Sequence, residues 1–133
     1  MHSMQSKQKK ILVVDDEPDI LEFLQELLEQ EGYTVAITDK AEYVEKLHDG
    51  DLPDLILIDV LLSGKDGYEM VKHLKSQEET RYIPVIMFSA HPSAEETART
   101  AGADDFVAKP FEMDEILAKI AKHVLPIDAI EPL

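Results

Sequence analysis

Short apolar runs punctuated by acidic or small residues recur five times along this chain, and a helical pattern follows each of them. Ile11-Leu12-Val13-Val14 is the first run and Tyr33–Thr38 a weaker second; Leu55–Ile58, Val85–Phe88 and Asp105–Ala108 complete the set. Runs of this length bounded by polar residues read as buried strands. After the first, Pro18 falls near the start of a helix, where its missing N–H costs nothing. Ile20, Leu21, Leu24, Leu27 and Leu28 then recur at helical spacing, and Gly32 suits the C-terminal cap. Ala41–His48 reads as a short second helix. Gly64 and Gly67 bracket a turn, after which Tyr68, Val71 and Leu74 mark a third. Ser93 and Glu96 have capping-box spacing at the start of a fourth helix, which Gly102 can end. Met113, Ile116, Leu117, Ile120 and Val124 give the fifth one apolar stripe.

Five strands alternating with five helices predict an α/β fold: a doubly wound (βα)5 domain with a five-stranded parallel sheet between layers of helices. The strand runs are almost wholly apolar, as a sheet covered on both faces requires. The flavodoxin-like order 2-1-3-4-5 is the usual solution at this size, with its switch point between strands one and three. Asp15-Asp16 ends the first of those strands and Asp59 the other; Ser89 ends the fourth and Lys109 the fifth. Parallel strands would bring all of these to one edge, the edge where open α/β sheets take ligands.

Three carboxylates held together repel one another unless one protonates or a cation joins them. An oxygen-only set, with neither cysteine nor clustered histidine, favours Mg²⁺ over a transition metal. Asp59 can act as a nucleophile toward phosphorus, giving an acyl phosphate. Phosphoryl transfer spreads charge over the phosphoryl oxygens, so the site mainly positions and neutralises. Lys109 supplies an ammonium on a flexible stem, Ser89 a hydroxyl, and Ala90 a backbone N–H beside an open acceptor. Plainer roles stand beside these: Asp16 as a helix N-cap, Ser89 as another cap, Lys109-Pro110 as a simple turn or a cis peptide, and Phe106 as core.

Composition narrows the functional classes. With 133 residues the chain suits one domain, and 44% hydrophobic content suffices for one core. A net charge of −15 argues against direct nucleic-acid binding. Lys7, Lys9 and Lys10 form a small basic cluster, read as a solvated lead-in. No apolar run approaches the ~20 residues of a membrane span, and Met1–Lys10 has no apolar core of a secretory signal. The absence of cysteine fits a reducing compartment, and a cytoplasmic location is expected. Residues 1–8 read as a disordered or appended lead-in, 9–125 as the domain, and 126–133 as a tail or the start of a linker.

Ile-Leu-Val-Val-Asp15-Asp16-Glu-Pro, Asp-Leu-Ile-Leu-Ile-Asp59, Gly64-Lys-Asp-Gly67, Ser89-Ala90 and Gly102-Ala-Asp-Asp-Phe106-Val-Ala-Lys109-Pro110-Phe111 follow one another in an order and spacing that resembles the receiver domain of two-component response regulators. The resemblance spans roughly residues 9 to 125. It implies that Asp59 accepts a phosphoryl group from a phosphohistidine on a sensor histidine kinase or phosphotransfer protein. It further implies that Asp16, Asp59 and the Leu61 backbone carbonyl bind Mg²⁺, with Asp15 acting through a metal-bound water. The Leu61 and Ala90 backbones, Ser89 and Lys109 would line the phosphoryl group. Ser89 and Phe106 would be the switch pair, Ser89 drawn inward and Phe106 rotating toward the interior. Their movement would repack the surface of the fourth helix, fifth strand and fifth helix, which meets a downstream effector, an output domain or a second copy.

Such a domain catalyses its own phosphorylation and dephosphorylation and is not a turnover enzyme. The chain departs from the family pattern in carrying Ser63 where a proline is common and Phe106 where a tyrosine is common. Leu61 and His91 occupy positions that tune phosphoryl lifetime in the family, and neither orients water well. An aspartyl phosphohydrolase is a competing class, but it wants a second acid two residues after the nucleophile, where Leu61 stands. A binding module indifferent to phosphorylation is the other, and the full set of acidic, hydroxyl and lysine groups argues against it.

Overall fold

The computed structural model of the chain describes residues 8–47, 50, 52–62, 64–91 and 93–125. Ser63, His48, residues 1–7 and the tail from Pro126 lie outside the described residues.

The five runs form one parallel sheet: β1 (Lys10–Val14), β2 (Thr34–Thr38), β3 (Leu55–Asp59), β4 (Val85–Ser89) and β5 (Asp105–Ala108), in the order β2-β1-β3-β4-β5. This is the expected doubly wound arrangement. Its helices are α1 (Pro18–Gln30), α2 (Ala41–Glu45), α3 (Gly67–Ser76), α4 (Ala94–Ala101) and α5 (Met113–His123). In a strand, alternate side chains face opposite ways, so each central strand feeds two cores. Ile11, Val13, Leu55, Leu57, Ile86, Phe88 and Val107 face Leu24 and Leu28 of α1 and Ile116 and Ile120 of α5. Leu12, Val14, Ile56, Ile58, Val85, Met87 and Phe106 face Val44 of α2, Val71 and Leu74 of α3, and Ala98 of α4. β3 and β4 are buried throughout, whereas edge strand β2 is only partly covered. That difference explains why β2 gave the weakest apolar signal.

Several local expectations change. α2 ends at Glu45, because Lys46 leaves helical geometry as its C-cap. Ser93 occupies the N-cap of α4, but its side chain caps nothing. Its backbone (φ −87°, ψ 2°) lacks the extended geometry that aims a capping side chain at the helix, and its hydroxyl lies 2.8 Å from Nδ1 of His91 instead. The N-cap of α1 is Glu17 rather than Asp16. It is Asp15 that satisfies the helix start, its Oδ1 accepting the Glu17 N–H at 2.8 Å.

The expected turn after β3 is more structured than its glycines suggested. Leu61–Leu62 pairs antiparallel with Lys65–Asp66, with Gly64 turning the chain at φ +82°. Gly67 starts α3 and needs to be glycine for room. Its N–H bonds the Val60 carbonyl at 2.7 Å, and a Cβ there would fall onto the carbonyl oxygens of Asp59 and Val60, 2.6 Å from the latter. Helix α3 is thereby pinned against the backbone carrying Asp59. Gly67→Ala should force these apart and lower stability by about 1–3 kcal/mol, the usual range for overpacking; a shifted midpoint in denaturant unfolding is the measurement.

Candidate phosphoacceptor and metal site

At the C-terminal edge of the sheet, Asp15 follows β1, Asp59 ends β3, Ser89 ends β4, and Lys109 follows β5. Parallel pairing sets Asp59 opposite Phe88 and Ser89 opposite Ala108, so the polar groups arrive together. Asp15 is wholly buried, and Asp59 and Ser89 nearly so. Oxygens of Asp15, Asp16 and Asp59 all lie within 4.8 Å of one another. The Lys109 ammonium donates to Asp15 Oδ2 at 3.3 Å and to Asp59 Oδ2 at 3.2 Å. Its backbone N–H bonds the Ser89 carbonyl at 2.8 Å, tying the ends of β4 and β5. The Lys109-Pro110 peptide is cis.

Burial governs the charges here. It pushes the Asp15 carboxyl above the ordinary aspartate range, against the pull of the Glu17 N–H and the Lys109 ammonium. Burial pulls Lys109 the other way, but the Asp15 and Asp59 carboxylates outweigh it and hold the ammonium above the usual lysine range. Lys109 therefore remains charged at neutral pH. The three carboxylates offer only oxygen donors, the chemistry a hard divalent cation takes, and a cation would relieve the cost that burial imposes on ionised Asp15.

The remaining expected residues are placed as follows. The Ser89 hydroxyl oxygen accepts the His91 N–H at 3.0 Å, which leaves its proton to be donated. Ala90 is exposed beside it, and Leu61 stands on the small hairpin with its side chain 67% exposed. Phe106 is buried, 4% exposed, within the α2–α3–α4 core. An inward ring is therefore already the arrangement of this chain.

A feature that sequence reasoning passed over is Asp105, quoted only as part of a motif. It is buried, with Lys119, Lys122, Arg99 and His123 all within 3.6 Å. Burial raises its carboxyl, but the Phe106 N–H, His123, Lys119 and Lys122 more than offset this, holding it below the ordinary range. Lys119, Lys122 and His123 recur along α5 and Arg99 stands on α4, but only the fold shows that they converge on one carboxylate.

The sequence matches the family model of the response regulator receiver domain across residues 11–121. The chain belongs to this family. The receiver is 42% identical over 115 residues to the phosphate regulon transcriptional regulatory protein PhoB of Escherichia coli, covering 84% of this chain and 50% of that one. It thus spans about half the length of that relative. Among solved structures it is similar to a response regulator of Chloroflexus aurantiacus, with a TM-score of 0.82 and 33% identity over 87% of this chain and 97% of that one. It is also similar to the receiver domain of a sensor histidine kinase from Pseudomonas aeruginosa, described with a magnesium ion coordinated in its active-site cleft; the TM-score is 0.79, with 27% identity over 88% and 98% of the two chains. Receivers are phosphoryl-accepting signalling modules. Among the described residues no helix is long and apolar enough to cross a membrane.

The raised Asp15 carboxyl gives a pH prediction. A carboxyl whose native value exceeds its unfolded value costs stability while ionised and costs nothing below its unfolded value, about 3.9. Without divalent cations, Asp15→Asn should therefore melt a few degrees higher than the parent near neutral pH. The gain should shrink as the pH falls through the raised native value and vanish below about pH 3.9. Thermal melts across that range check the sign.

Proposed function

We propose that this receiver is a cytoplasmic phosphorylation switch in which Asp59 takes a phosphoryl group from a phosphohistidine on a sensor histidine kinase or phosphotransfer protein. The observation carrying this reading is the Lys109 ammonium shared between Asp15 and Asp59 at the head of the sheet. An Asp59 carboxylate oxygen attacks phosphorus as the donor's N–P bond breaks. The bond's electron pair leaves with the imidazole nitrogen, which takes a proton from solvent, and an acyl phosphate remains on Asp59. Lys109 and the Ser89 hydroxyl then hold phosphoryl oxygens, with the Ala90 and Leu61 backbones beside them. Such preorganised contacts are what a loose phosphoryl transition state needs.

Asp16, Asp59 and the Leu61 carbonyl would hold Mg²⁺. Asp15 would contribute through water, which fits its two oxygens being already engaged by the Glu17 N–H and Lys109. When bound, the ion supplies charge neutralisation at the phosphoryl oxygens. Residues 9–125 are the receiver unit in this reading. Its output, whether a linked domain, a separate effector or a phosphorylation-dependent homodimer, would meet the α4-β5-α5 face through Ser89 and Phe106. Because the Phe106 ring already lies inside, phosphorylation would act by favouring an arrangement the chain can adopt unaided, a population shift.

Treatment with acetyl phosphate and Mg²⁺ should add one phosphate to the intact protein by mass spectrometry, and chelation of the metal should prevent it. Asp59→Asn should gain none; a phosphate retained by that variant would move the acceptor elsewhere. The phosphoryl group should also outlast donor removal by well beyond seconds. Leu61 presents an exposed apolar side chain, and the His91 ring is engaged by Ser93, so neither aims an attacking water. Loss of the phosphate within seconds would contradict this.

A further inference from the structure

We propose that the ring face of Phe88 is the seat of the Lys109 ammonium, which makes Phe88 a positioning residue for phosphoryl transfer. The inference rests on the reading of Asp59 as acceptor. The Lys109 Nζ lies 4.7 Å from the Phe88 ring centroid, over its face. Two carboxylates hold the ammonium through hydrogen bonds, and the ring holds it through the negative face of its π system. Phe88 is wholly buried, so this attraction is little screened by water.

The ring is itself fixed. Phe111 meets it edge-on, with centroids 6.2 Å apart and planes at 86°, and Phe111 in turn packs on Phe23 of α1 at 6.5 Å. Phe88 also sits opposite Asp59 in the β3–β4 register, so acceptor and seat belong to adjacent strands of one rigid sheet. An aliphatic side chain at this place would offer the same wall without the attraction.

A fixed seat matters because the lysine stem is flexible. When Asp59 becomes an acyl phosphate, the charge facing Lys109 moves from a carboxylate to the phosphoryl oxygens. The carboxylate partners change during the reaction, whereas the ring does not. Phe88 thus keeps the ammonium at the mouth of the crevice before, during and after transfer.

The test replaces Phe88 with mono-, tri- and pentafluorophenylalanine, which withdraw π density while nearly preserving ring size. Phosphorylation by acetyl phosphate with Mg²⁺ forms the Asp59 oxygen–phosphorus bond as acetate leaves. Its rate should fall progressively along the series, by roughly three- to tenfold at the pentafluoro ring, with the fold retained and melting temperatures lowered only modestly as the ring's attractions weaken. A second reading is independent of phosphorylation: in the unmodified protein the Lys109 ε-methylene protons should show an upfield ring-current shift by NMR, lost in Phe88→Leu. A rate that stays flat along the series overturns the proposal, as does an unshifted Lys109 signal. Should the unmodified protein accept no phosphate at all, the acceptor reading falls and the positioning role with it, while the Lys109 signal still decides separately whether the ring seats the ammonium.

Discussion

Parallel pairing of five strands is the constraint from which the rest of this molecule follows. It sends every strand's carboxyl end to one edge, and with it whatever polar residue terminates each apolar run. At that edge the interaction that organises the others is the Lys109 ammonium between Asp15 and Asp59. It joins the end of β5 to the ends of β1 and β3, while the Lys109 backbone joins the end of β4. Four strands are tied at the point where charge is most concentrated, and the apolar cores on either face hold their lengths in register.

The acidic group is stable here only because it is shared. Buried carboxylates are costly when ionised, and the cost falls mainly on Asp15, which has no solvent exposure. The Glu17 N–H at the start of α1 and the Lys109 ammonium each offset part of it. What remains is a strained electrostatic arrangement that an added hard cation improves. A hard cation joining these carboxylates would turn the stability that burial costs them into affinity for the ion.

Most of the architecture was legible in the sequence because it rests on periodicity. The five runs, the helix stripes and the residues ending each strand were visible as patterns; crossover helices implied a parallel sheet, and the strand order was the one usual for a doubly wound domain of this size. The acidic residues and the lysine could be assigned to one edge because strand ends need only topology. Features that depend on close approach were not legible. Gly67 looked like a turn residue, whereas its lack of a side chain serves packing against the Asp59 backbone. The Ser93–Glu96 spacing suggested a cap, but local backbone geometry sent the serine to His91 instead. Asp105 carries no sequence mark that sets it apart from Asp104, and only burial and the turn-by-turn placement of α4 and α5 make it a charge hub.

That hub sits immediately before Phe106. The Asp105 carboxylate accepts the Phe106 N–H, and Lys119 donates to the Phe106 carbonyl. Both peptide groups flanking the aromatic are therefore gripped, in addition to the strand pairing that sets Phe106 opposite Met87. The main chain is thus held on both sides of the ring, and torsion about the Phe106 side-chain bonds is the freedom these contacts leave least constrained.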